Sequence, residues 1–135
     1  MNLSSFAPEI RVAIEAAQEK HAGEITVLNL VGTGAFAEYF LVCSGDSTTQ
    51  LRAIADGIEE QLDRRGRHLS HREGKQGAEW LLLDYGYFIV HIFSERAREY
   101  YDLERLWRNA QRLDIQESGP PRASSGEPEG DAALG

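Results

Sequence analysis

The chain has 135 residues, 41% of them hydrophobic and 27% charged, with a formal net charge of −8. That length fits one domain whose core needs neither metal nor disulfide, and a single cysteine excludes an intrachain bridge. The acidic balance argues against unaided, sequence-specific nucleic-acid binding, which needs clustered Lys and Arg, and makes a basic protein surface the more natural partner.

The first residues, Met1 to Ser5, lack the basic stretch and apolar run of a secretory signal. No segment approaches the ~18 uninterrupted apolar residues of a membrane span. The expectation is a soluble, cytoplasmic protein with no membrane partner.

Pro8 sits where the first turn of a helix tolerates a missing N–H, with Ser4 or Ser5 as the expected cap. Ile10, Ala13, Ile14 and Ala17 then recur at helical spacing to about His21, and Gly23 should end the helix. Residues 24–30 alternate as a strand with Ile25 and Val27 on one side. Residues 31–37, with Gly32 and Gly34, form a turn, and residues 38–43 form a second strand that holds Cys43 as a small buried side chain.

A turn at residues 44–47 opens a long helix capped by Asp46 or Ser47, with Leu51, Ile54, Ala55, Ile58 and Leu62 as its apolar stripe. Arg64, Arg65 and Gly66 close it, and residues 67–77 read as a polar loop. Residues 80–83 and 87–93 predict a hairpin around Asp84-Tyr85-Gly86. A last helical stretch follows from about Glu95 to Leu113, interrupted near Tyr101-Asp102.

Residues 114–135 hold five acidic side chains and one basic one, three prolines and four glycines. Such a segment cannot bury enough apolar surface to offset its ordering entropy, so it reads as a disordered tail beyond a domain of residues 4–113. The order α-β-β-α-β-β-α predicts an α/β (α+β) domain, a mixed β-sheet flanked by helices.

The sequence offers little for catalysis. Ser44-Gly45-Asp46-Ser47, between a strand and a helix, could aim backbone N–H groups at a phosphate, but it lacks the spaced glycine and Lys-Ser/Thr pair of a P-loop. Nucleotidyl transfer also needs paired carboxylates holding Mg²⁺, and Thr48-Thr49-Gln50 supplies none. A nucleotide-binding or nucleotidyltransferase enzyme is the alternative reading; the main one is a protein without catalysis, cofactor or metal. His68 and His71 lack the cysteine or helical glutamate that would complete a zinc site. His21 suits a helix C-terminus, and His91 within a strand reads as a hydrogen-bonded structural residue.

Most of the interest lies in residues 80–93 and 98–107. Trp80 and Leu82 must point to one face of a strand, Leu81 and Leu83 to the other. Trp and Tyr beside Glu and Asp are what an interface centre with a charged rim contains, although the same aromatics could simply fill a core.

Tyr39-Phe40-Leu41-Val42 with Ser44-Gly45, then Gln50, Ala53-Ile54-Ala55-Asp56 and Ile58, stand in order along the chain. Trp80-Leu81-Leu82-Leu83-Asp84-Tyr85-Gly86, Val90-His91-Ile92-Phe93 and the run from Arg98 to Trp107 follow them. Together they resemble the ribosomal silencing factor (Iojap-like) family over about residues 8–108. The resemblance implies a nucleotidyltransferase-like fold without its catalysis. It also implies binding to the large ribosomal subunit at ribosomal protein fourteen, on the face that meets the small subunit. Subunit joining would then be blocked and translation lowered under nutrient limitation.

On this expectation Trp80, Leu82, Asp84, Tyr85 and His91 lie on or beside the docking face, and Tyr100, Asp102 and Glu104 contribute from the helix edge. The resemblance also allows a homodimer. Glu38 stands where the family usually carries aspartate, and Tyr87 where an acidic residue is more usual, which lowers the charge that the hairpin turn offers a basic partner.

Overall fold

The computed structural model describes residues 5–74 and 77–115. The elements run α1 (Pro8–Glu19), β1 (Gly23–Asn29), β2 (Tyr39–Gly45), α2 (Thr48–Arg64) and β3 (His71–Glu73), then β4 (Trp80–Asp84), β5 (Phe88–Ser94), α3 (Glu95–Tyr101), α4 (Leu103–Leu106) and β6 (Gln111–Asp114). The six strands form one sheet in the order β3-β4-β5-β2-β1-β6. Among the described residues only β2 and β5 pair in parallel, Tyr39 beside Phe88 through Gly45 beside Ser94; the other pairings are antiparallel. The mixed sheet predicted from the element order is therefore present.

Alternation decides what each face carries. Ile25, Val27, Leu41, Cys43, Leu81, Leu83, Val90 and Ile92 point to one side, where they pack with α1 and α2 into the main core. Leu51, Ile54, Ile58 and Leu62 line the buried stripe of α2, and burying each contributes about 2 kcal/mol. The other side carries Phe40, Val42, Trp80 and Phe93, which form a smaller cluster with Ala97 of α3 and Leu103 of α4.

Local chemistry fixes the helix ends. Ser47 Oγ accepts from the Gln50 N–H at 3.1 Å and starts α2, while Gly66 past its last turn takes φ 80°. Pro8 is at the start of α1 as expected, but the N-cap is Ala7, with no side-chain cap, rather than Ser4 or Ser5. His21, at φ 62°, makes the turn that ends α1, ahead of Gly23.

Two strands differ from the expectation. Residues 67–77 read as loop, yet His71–Glu73 pairs with Leu82–Asp84, and Arg72 reaches back to Asp56 (3.0 Å) and Glu59 (2.7 Å) of α2. The final helix does not continue to Leu113: it stops at Leu106, and Gln111–Asp114 returns as an edge strand on β1. Asp114, placed in the tail by composition, belongs to this edge, and the rest of that segment beyond Ile115 lies outside the described residues. Among the described residues, no helix is long and apolar enough to cross a membrane.

Candidate functional site

The face of the sheet opposite α1 and α2 is only partly covered. α3 and α4 lie over its middle, leaving a row of aromatic rings half-open. Trp107 meets Phe40 at 6.2 Å between centroids, Phe40 meets His91 at 4.4 Å, and His91 meets Trp80 at 5.8 Å. Trp80 continues to Tyr101 at 4.6 Å, and Tyr101 to Tyr100 at 5.0 Å. Tyr100, at one end of the row, is 80% exposed, and Leu106, the residue before Trp107, is 70% exposed, so large apolar side chains stand in water here.

The strand period explains the arrangement. Trp80 and Leu82 are half-buried while Leu81 and Leu83 are buried against the helices. His91 lies opposite Leu82 in the β4–β5 register and is 4% exposed. It accepts the Trp80 indole N–H on Nδ1 at 3.1 Å, the structural hydrogen bond expected of it. Burial pushes its pKa down to about 4, so the ring is neutral at pH 7.

Not all the expected site residues join this face. Tyr85 is 1% exposed and belongs to the core on the α1–α2 side, where its ring stacks on Phe88 at 5.1 Å. The hairpin turn rotates it away from Trp80, so it has no surface to offer. Asp84, half-buried at the end of β4, accepts the Gly86 N–H at 2.8 Å and shapes that turn. Asp102 occupies the break between α3 and α4 in the left-handed conformation, φ 49° and ψ 56°. Glu104 is not a free rim carboxylate: its side chain is 14% exposed and held by Arg98 at 2.7 Å. Phe40, Tyr101 and Trp107 sit on the face although the sequence did not single them out as site residues. Phe40 could have been found by counting in twos from Val42, once β2 is known to lie beside β5.

Several groups of the turn at residues 44–47 bond within the chain. The Asp46 N–H donates to Gln50 Oε1 at 2.5 Å, Ser47 caps α2, and Gln50 Nε2 donates to the carbonyls of Lys20 and His21 at 3.1 Å each. His68 and His71 pair separately with Asp63 and Glu73, both at 2.8 Å. Among the described residues, no group of three or more His, Cys, Asp or Glu side chains is gathered to hold a metal ion.

Residues 4–133 match the family described as ribosomal silencing factor during starvation. A ribosomal silencing factor of Bacillus subtilis is 39% identical over 106 residues, covering 78% of this chain and 90% of the relative. The mouse protein named mitochondrial assembly of ribosomal large subunit protein 1 is 29% identical over 106 residues, 73% of this chain and 45% of its own length. A crystal structure of a Chromobacterium violaceum protein superposes with a TM-score of 0.72 at 27% identity, over 93% of this chain and 98% of that one. The chain belongs to the ribosomal silencing factor family.

Proposed function

We propose that this protein represses translation in the cytoplasm by docking its aromatic sheet face onto the large ribosomal subunit, at ribosomal protein fourteen, where it blocks joining of the small subunit. The observation that carries this reading is the half-open row from Trp107 through Phe40, His91 and Trp80 to Tyr101, on the one sheet face that helices do not close. Large aromatic groups at a partly desolvated centre supply burial, and charged groups around them select the partner. Trp80, Leu82 and Tyr100 are the contact residues of this reading, with His91 bracing Trp80 from behind. Asp102 and Asp84 are the carboxylates near its edges that suit a basic partner. Support for the large subunit comes from family membership and from the name of the mouse relative.

The enzymatic alternative has less support. In the turn it would use, the Asp46 N–H and the Ser47 hydroxyl oxygen are engaged within the chain, and the relatives are named as silencing factors, a regulatory role.

Co-sedimentation tests the proposal. The wild-type protein should travel with purified large subunits and be absent from joined ribosomes, and Leu82→Glu should release it while the fold persists. Wild-type retention of Leu82→Glu on large subunits would remove this face as the dock.

A further inference from the structure

We propose that Arg98 is the positioning residue of the docking face: through Glu104 it sets the turn at Asp102 that places Tyr101 on Trp80 and Trp107 on Phe40. The inference rests on the docking reading above and names what holds the helical half of that surface.

Arg98 is 7% exposed, beneath α3 and against β1 and β2. A guanidinium presents five N–H donors in one rigid fork, and here each finds an acceptor. Nη1 donates to the Glu24 carbonyl at 2.5 Å and to Ser44 Oγ at 2.9 Å. Nη2 donates to Thr26 Oγ1 at 3.2 Å and to Glu104 Oε2 at 2.7 Å, and Nε to Glu104 Oε1 at 3.4 Å. The side chain is therefore fixed in every direction its donors point.

The contacts close into a ring. Thr26 Oγ1 donates to Asp114 Oδ1 at 2.9 Å, and Arg112 Nε donates to the same oxygen at 2.9 Å. Arg112 Nη2 lies 3.7 Å from Glu104 Oε2. The ring ties α3, α4, β1, β2 and β6 to one another around the guanidinium.

Between Arg98 and Glu104 lies the left-handed Asp102, a conformation that a residue with a Cβ adopts at a cost. The Asp102 N–H donates to the Arg98 carbonyl at 2.9 Å, and the bidentate side-chain pair, buried beneath the kink, links the residues on its two sides. α3 ends in Tyr100 and Tyr101, while α4 leads into Trp107. The angle at this turn therefore sets how far apart the two ends of the aromatic row stand. Burying a charged pair is a poor route to stability, since desolvation offsets most of its attraction, but its directionality specifies a geometry.

Two substitutions separate positioning from mere stability. Glu104→Gln keeps the shape and removes the charge, and Arg98→Lys keeps the charge and removes the fork. The measurements are capture of purified large ribosomal subunits, near-ultraviolet circular dichroism from the Trp80–Tyr101 pair, and far-ultraviolet spectra well below the melting midpoint. Both variants should keep the far-ultraviolet spectrum of the wild type and change the near-ultraviolet one. Capture should weaken about tenfold, the order expected for a displaced interface anchor, and the double variant should lose no more than the worse single one. If Arg98→Lys does not fold, Glu104→Gln carries the test alone. Wild-type capture by a folded Glu104→Gln overturns the positioning role, whatever its near-ultraviolet spectrum. Wild-type capture by Leu82→Glu instead removes the docking reading itself.

Discussion

The Trp80 indole N–H donates to His91 Nδ1 at 3.1 Å across the β4–β5 pairing, and this bond decides which imidazole nitrogen carries the proton. With Nδ1 accepting, the neutral ring must hold its hydrogen on Nε2, a buried atom that has no hydrogen-bond partner among the described residues. An unfolded histidine takes up a proton near pH 6.5, whereas His91 in the fold does so only near pH 4. Between those values the unfolded chain binds more protons, so stability falls as the pH is lowered. The full effect is roughly 3 kcal/mol, complete above about pH 6.5 and lost as the pH approaches 4. Denaturant titrations at pH 7 and pH 5 should show this slope. His91→Gln keeps an acceptor for the indole without a titrating ring and should flatten it. An unchanged slope in that variant would assign the acid sensitivity to other groups.

Trp80 is the residue whose loss should cost docking most. Its ring touches His91, Phe93 and Tyr101, so truncation removes an anchor and also loosens the row around it. Trp80→Ala should weaken capture of large subunits by about 2 kcal/mol or more, the range of an aromatic hot spot. Tyr85→Phe should leave capture unchanged, because that ring lies on the other side of the sheet. Equal losses in the two variants would show that capture follows stability rather than this surface.

Wherever period and length were strong, the fold was legible from residue order. The stripe of α2, the Asp84-Tyr85-Gly86 hairpin and the break near Asp102 all stand within a residue or two of where the pattern puts them. β3 and β6 were not legible, because three- and four-residue edge strands carry too few side chains to show alternation. His-Arg-Glu and Gln-Arg-Leu-Asp are also polar, as exposed edges usually are. The site was half legible for a related reason. Trp80 and Leu82 follow from alternation alone, but Tyr85 sits in a turn where alternation ends, and its direction is set by packing on Phe88. Glu104 looked like a rim carboxylate because nothing in the local sequence announces that Arg98, six residues earlier, turns inward to meet it.

Gly74 should tolerate no side chain. It takes φ +114°, and a Cβ there would overlap Leu81 Cδ2 and stand 3.0 Å from the Trp80 carbonyl oxygen. The Trp80 backbone cannot yield without moving β4, the strand that presents the docking face. Gly74→Ala combines backbone strain with this clash and should destabilise the fold by about 2–3 kcal/mol. Thermal melts would check it, and a wild-type midpoint would mean that β3 detaches from β4 at little cost.

Cys43 provides an internal reporter of opening. It is fully buried in β2, and burial pushes its thiol up to about 12 against the opposing pull of the Arg98 charge. The thiolate is the reactive form, so both access and ionisation are suppressed in the folded protein. Reaction with a disulfide reagent at pH 8 should be slow in buffer and should accelerate with denaturant in step with loss of the fold. Arg98→Lys and Glu104→Gln, which loosen the ring above β2, should speed labelling before global unfolding begins. Rapid labelling of the wild-type chain in buffer would mean that β2 opens locally, and that the sheet beneath the aromatic row is far less rigid than its packing implies.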